Sequence, residues 1–276
     1  MTNFVISTPN IVFIHLPKTG GTSVRDAFGP SDERYFGHLP EEFRGLPKLA
    51  VIREPRQRFL SALRMFKYGN RLDGDYYAKA RWPELTISKA LDVLEDPWIG
   101  FDRSYRDLAW DLKHHLLPQT HPFNCLFYAD DVLRFETLEA DFADYCAKLG
   151  LSAQLPRLRV SQGGQEQEAV WTAEEEMRFK RLFEDDYRVL NYLPDFSPEH
   201  RRVYDLAALK PEADTVYDLW PAYFSGQKVF VENAADALPD ERSTLEPFAD
   251  EIIPGAPAGA WAKRSKDLVD HFHQIL

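Results

Sequence analysis

Lys18-Thr19-Gly20-Gly21-Thr22-Ser23 is the stretch of this chain whose residue types and order suit the holding of an anion. Glycines let backbone N–H groups come close to oxygen atoms, and Lys18 adds a full positive charge. Thr22 and Ser23 offer hydroxyl donors, or a cap for a helix that starts there. The order is not that of a Walker A loop, in which the lysine follows the glycines; here Lys18 precedes them. The chemistry offered elsewhere is sparser. There is no HExxH pair, no EF-hand loop and no Cys/His cluster, and His114-His115 are adjacent rather than one helical turn apart, which reads as a plain helix end.

The loop needs elements to hold it. Ile11-Val12-Phe13-Ile14 is a short β-branched and aromatic run that leads into the loop, and Val24, Ala27 and Phe28 recur at helical spacing after it until Gly29-Pro30. The order is strand, loop, helix. It recurs where Leu49-Ala50-Val51-Ile52 runs into Arg53-Glu54-Pro55, since Pro55 suits the first turn of a helix that would bury Phe59, Leu63 and Phe66. Two such units imply a parallel sheet with helices on its faces and ligand loops at the carboxyl ends of the strands. Residues 67–117 are helical in pattern and aromatic-rich. A further strand is expected over Val132–Glu136, then a helix to Leu149 closed by Gly150, and one more helix over Glu174–Leu190. Prolines at 194, 198 and 211 place a boundary near Pro194.

The composition is that of a soluble globular protein, 44% hydrophobic and 28% charged. A net charge of −11 argues against nucleic acid as the main partner. The average hides an asymmetry: residues 1–82 carry 13 Lys and Arg against 8 Asp and Glu, so +5, and the remainder carries −16. Positive charge is therefore concentrated at the N-terminal end, which uneven surface decoration would also produce. Cys125 and Cys146 cannot form a disulfide framework and read as buried free thiols of a reducing compartment. The first apolar run is too short to span a bilayer and no targeting segment is visible, so a cytoplasmic location is the expectation.

The motifs then become specific. HLPKTGGTSVRDAF resembles the loop that grips the 5′-phosphosulfate in sulfotransferases using 3′-phosphoadenosine 5′-phosphosulfate, and VIREPRQRFLSALRMF is similar to that family's 3′-phosphate segment. The nearest pattern is that of the carbohydrate sulfotransferases, including uronosyl 2-O and chondroitin 4-O enzymes and bacterial relatives. The resemblance implies that Lys18, Thr19, Gly20, Gly21, Thr22 and Ser23 bind the phosphosulfate. It also implies that Arg53 and Ser61 hold the 3′-phosphate, a pairing that suits the bidentate reach of a guanidinium. HLLPQTHPF with DDVLRFETLEADFADYCAKLGL is similar to a family segment that completes the core. Leu155–Ser161 resembles a loop closing over the cofactor, with Ser161 as a contact and Arg159 a weaker one. After Ser161 the chain reads QGGQEQE, where relatives are usually basic. The resemblance spans residues 10–193. It implies an α/β fold, a P-loop-like parallel sheet flanked by helices over residues 1–194, with residues 195–276 a C-terminal extension unlike anything in the family.

Sulfuryl transfer needs in-line geometry, neutralisation of charge on the leaving oxygen and a base for the attacking hydroxyl. The leaving group, adenosine 3′,5′-bisphosphate, departs through a phosphate, so no metal is formally required, and Lys18 would supply the neutralising charge. His38 is the expected base. It sits in YFGHLPEEF, where several relatives carry Gly-His, and its ordinary pKa of about 6.5 leaves much of it neutral. His15, Glu41 and Glu42 are its rivals. The acceptor is expected to be a carbohydrate or another hydroxyl compound, with Arg71, Trp82 and Arg103 as candidate contacts. Two other classes fit the same loop: a P-loop-like kinase, which would use an acid such as Glu54 to hold magnesium, and a non-catalytic nucleotide-binding module.

Overall fold

Alternation along two apolar strands builds the two faces of the sheet. Residues 2–29, 33–36, 41–43, 45–69, 79–95, 108–121, 124–152, 154–156, 170–192, 204 and 206 are described by the computed structural model of this protein. Strand β2 (Ile11–His15) pairs in parallel with β4 (Lys48–Ile52), and β4 pairs in parallel with β5 (Asp131–Arg134). Odd positions Ile11, Phe13, Leu49, Val51 and Leu133 turn to one cluster, which α1 (Gly21–Phe28) closes with Val24 and α5 (Leu138–Lys148) with Phe142 and Tyr145. Even positions Val12, Ile14, Ala50 and Ile52 turn to the other. There they meet α2 (Pro55–Tyr68), α3 (Ile87–Glu95), α4 (Leu108–Leu116), α6 (Ala173–Leu182) and α7 (Glu184–Val189). Strands covered on both faces are apolar at nearly every position, which is why they were visible as unbroken runs.

The sheet is larger and less uniform than its parallel centre. β1 (Thr2–Ile6) forms an antiparallel hairpin with β2, and β3 (Glu33–Phe36) adds antiparallel to β1, giving the order β3-β1-β2-β4-β5. The expected parallel sheet is thus the three-strand part of a five-strand mixed sheet. TNFVI and ERYF hold no unbroken run of four apolar residues like those of β2 and β4; each is a strand because a partner lies alongside it. The helical stretch expected over 67–117 contains α3 and α4. Before α3 the chain turns back so that the amides of Arg81 and Trp82 both donate to the Phe66 carbonyl at 2.8 Å, closing the end of α2. The single helix expected over Glu174–Leu190 is two, broken at Phe183, whose buried ring stacks on Phe179 with centroids 4.4 Å apart. α6 opens with a capping box between Thr172 and Glu175. The boundary near Pro194 and nearly all of residues 195–276 lie outside the described residues. Tyr204, from beyond that boundary, accepts a hydrogen bond from Arg134 Nε at 2.8 Å, and the Arg134 guanidinium also lies over Tyr192. Among the described residues no helix is long and apolar enough to cross a membrane.

Among the described residues the largest fully buried side chains are two cations, Arg58 and Arg134. Arg58 of α2 is 0% exposed, and its Nη1 donates to the carbonyls of Pro17 (3.3 Å) and His115 (3.1 Å). Nη2 donates to Leu116 (3.1 Å) and Leu117. Burial pulls its pKa down to about 10, and Asp186 offsets part of that, so it stays charged at neutral pH. Arg58→Met should cost about 3 kcal/mol or more in urea denaturation, because buried carbonyls of two segments lose their donor together.

Both cysteines are buried free thiols, and desolvation pushes Cys125 up to about 12 from its ordinary value near 9.0. A folded pKa above the unfolded one contributes stability that is complete below about pH 9 and falls as pH rises toward 12. Unfolding free energy should therefore fall more steeply between pH 8.5 and 10 in the native chain than in Cys125→Ala. The buried tyrosines, Tyr145 among them, act in the same direction but begin to ionise at higher pH.

Candidate functional site

The candidate anion loop is shaped by two left-handed residues. Lys18 has φ +67° and Gly20 φ +83°, so the chain turns sharply between β2 and α1. Lys18 accepts a conformation uncommon for a residue with a side chain. The Thr19 hydroxyl folds inward and donates to the Leu16 carbonyl at 2.9 Å, so its side chain fixes the loop and leaves ligand contact to its main chain. A Cβ on Gly20 would lie 3.0 Å from the Phe135 ring, and one on Gly21 only 2.2 Å from the His15 ring. The two glycines thus serve different needs: the first permits the turn, the second admits His15, which packs against Phe4 and Phe13. Among the described residues, the hydroxyls of Thr22 and Ser23 have no hydrogen-bond partner.

A second arm reaches the same place from β4. Arg53 follows that strand, and its Nη1 donates to the Lys18 carbonyl at 3.1 Å, while its guanidinium lies 4.1 Å from the centroid of Phe135. Arg53 Nε is buried and has no hydrogen-bond partner among the described residues. Desolvation lowers the Arg53 pKa, and nearby Glu136 and Glu54 oppose that. Ser61 is buried on α2. Lys18 Nζ donates to the Met65 sulfur at 3.3 Å, and Met65 lies one turn beyond Ser61 on the same helix face. Lys18, Arg53 and Ser61 are thereby brought to one region from three stretches of sequence.

The acids at the strand ends are engaged. Glu54 caps α2 by accepting from the Gln57 amide (2.6 Å) and also accepts from the Tyr187 hydroxyl (2.7 Å). Glu136 accepts from the Glu54 amide (2.7 Å) and the Tyr192 hydroxyl (2.9 Å). Phe135 and Glu136 were not singled out by sequence. The signal for them was present, since residues just after a parallel strand border the ligand crevice in open α/β sheets. Gln119, whose side chain bonds to the Arg53 main chain, had no such signal.

His38, Arg71, Arg103, Arg159 and Ser161 lie outside the described residues, as does the side chain of Glu41, while Glu42 is exposed. Trp82 is half-buried against the core, and its amide closes the end of α2 opposite Arg53, roughly 20 Å of helix away. His114 and His115 occupy the last turn of α4, as a helix end, and burial holds His114 well below its ordinary pKa.

Gly21→Ala should lower stability by about 1–3 kcal/mol, because its methyl group has to displace the His15 ring. Adding His15→Ala should recover part of that loss, a coupling of at least about 0.5 kcal/mol readable in a double-mutant cycle of thermal unfolding. Comparison with protein-family models, with curated proteins and with solved structures finds no match to this chain, which leaves the geometry of the loop and its neighbours as the ground for a functional reading.

Proposed function

We propose that this chain is a sulfotransferase that binds 3′-phosphoadenosine 5′-phosphosulfate and passes its sulfuryl group to a hydroxyl acceptor, a carbohydrate by resemblance. The observation that carries the reading is Arg53. Its guanidinium is bonded to the Lys18 carbonyl yet keeps a buried Nε–H without a partner among the described residues, a desolvated donor suited to a phosphate oxygen. The strand–loop–helix around Lys18 supports a P-loop-like frame in which the lysine comes before the glycines. Glu54, the acid that a magnesium-dependent kinase would draw on, is engaged with Gln57 and Tyr187, which favours sulfuryl over phosphoryl transfer.

In this reading the main chain of residues 19–21 and the hydroxyls of Thr22 and Ser23 hold the 5′ end of the nucleotide, and Arg53 and Ser61 hold the 3′-phosphate, with Ser161 as a further contact. The donor supplies an activated sulfuryl group on a phosphate leaving group. A new bond forms between the acceptor oxygen and sulfur as the bond from sulfur to the phosphate oxygen breaks. His38 takes the acceptor proton, and Lys18 neutralises the charge that builds on the departing oxygen, so no metal is called for. Arg71, Trp82 and Arg103 are the proposed acceptor contacts. Two buried free thiols suit a cytoplasmic, reducing setting.

Calorimetry tests the nucleotide assignment. The native chain should bind adenosine 3′,5′-bisphosphate more tightly than AMP, and the Arg53→Ala, Ser61→Ala double variant should lose that preference. Charge-assisted contacts of this kind are worth about 1.5–3 kcal/mol each; a double variant that still discriminates would refute the assignment. Lys18→Ala should lose turnover more than affinity. His38→Ala should lose about 100-fold in rate with nucleotide affinity unchanged, and wild-type turnover in that variant would call for a different base.

A further inference from the structure

Two side chains remote in sequence from Arg53, Gln119 of the HLLPQTHPF segment and Asp186, control its main chain. Gln119, in the turn that follows α4, is 0% exposed. Its Oε1 accepts from the Arg53 amide at 2.8 Å and its Nε2 donates to the Arg53 carbonyl at 2.8 Å. This two-point exchange repeats the pattern by which a neighbouring strand holds a residue, so Gln119 continues the sheet by one residue beyond β4.

The orientation of that amide is set from behind. Asp186 of α7 is also 0% exposed, and its Oδ2 accepts from Gln119 N (2.9 Å) and from Gln119 Nε2 (3.2 Å). Its Oδ1 accepts from the amide and the hydroxyl of Thr120, both at 2.8 Å. Gln119 Nε2 has two hydrogens, and each meets an acceptor, one on Asp186 and one on Arg53. A flipped amide would set Oε1 against two acceptors and Nε2 against the Arg53 N–H, so the carboxylate permits one orientation. A carboxylate is costly to bury. Here its bonds go to Gln119 and to the residue after it.

We infer that Gln119 and Asp186 are positioning residues for Arg53, which set the preference of this site for nucleotides that carry a 3′-phosphate. The inference rests on the proposed nucleotide site. The pair fixes the Arg53 main chain, and from that fixed point the side chain bonds to the Lys18 carbonyl and stacks on Phe135. Without the pair the guanidinium would have to be ordered by the ligand, at a cost in affinity for the 3′-phosphate alone.

The experiment measures, by calorimetry on the full chain, the ratio of the dissociation constants of AMP and adenosine 3′,5′-bisphosphate in wild type, Gln119→Met, Gln119→Glu and Asp186→Asn. Circular dichroism checks that each variant is folded. The ratio should fall about tenfold or more in the variants while AMP affinity stays within about twofold of wild type. Folded variants that keep the wild-type ratio overturn the inference and leave the nucleotide assignment standing. An equal fall in affinity for both nucleotides also overturns it, since that is general damage. A wild-type chain that does not discriminate refutes the nucleotide assignment itself, and the inference falls with it. Should the variants not fold, hydrogen exchange on the wild-type chain decides. The Arg53 amide should be protected before any nucleotide is added; rapid exchange in the free protein overturns the inference.

Discussion

A guanidinium with no exposed surface has to be met by oxygen atoms, and Arg58 draws its oxygen atoms from the main chain of two distant segments. From α2 it reaches Pro17, where the candidate anion loop begins, and residues 115–117, where α4 ends. Both arms of the candidate site stand next to those contacts. Lys18 follows Pro17 directly, and Gln119 comes two residues after Leu117. A neutral side chain of similar length would fill the same volume and leave those carbonyls without a donor. The favourable term is a charged donor shared by several acceptors in a dry environment; the opposing term is desolvation, which appears as the lowered pKa.

Around that anchor the ends of the parallel strands are tied to one another. The Arg53 guanidinium bonds to the loop after β2 and stacks on the ring that follows β5. Glu136, after β5, accepts from the Glu54 amide after β4. The break at Phe183 gives α7 a direction of its own, and the segment from Asp186 to Tyr192 lies across this edge. Asp186 meets the turn after α4, Tyr187 meets Glu54, and Tyr192 meets Glu136. Burial and the adjacent carboxylates raise the pKa of both tyrosines, which therefore remain neutral hydrogen-bond donors throughout the ordinary pH range. The strand ends are thus held from behind by neutral hydroxyls and one carboxylate, and the positive groups, Lys18 and Arg53, occupy the loops themselves.

Local pattern determined a good deal. β2 and β4 are legible because strands covered on both faces must be apolar throughout, and α2 because Pro55 marks its first turn and its buried positions recur at helical spacing. The turn from Lys18 to Ser23 between β2 and α1 is legible because paired glycines follow a strand and precede helical spacing. That Lys18, Arg53 and Ser61 converge follows from the parallel order of two strand–loop–helix units, which sequence also implies.

Tertiary structure decided what depends on a partner remote in sequence. β1 and β3 are strands only by pairing, and TNFVI alone does not specify one. Nothing in the sequence singled out Arg58 among the basic residues of α2, and it is buried because carbonyls 41 to 59 residues away along the chain receive it. Asp186 sits in a run of acids at the start of α7, where exposure and a favourable helix-end charge would be the natural reading; four donors from Gln119 and Thr120 bury it instead. Gln119 lies in the HLLPQTHPF segment, yet nothing local assigns it a role, because the value of a primary amide lies in what it faces. The sequence by itself determined which residues have the chemistry to hold an anion, since charge, hydroxyl and glycine are properties of single residues. The fold decided which of them is held still, since a buried hydrogen bond requires two groups that the chain brings together only once it is packed.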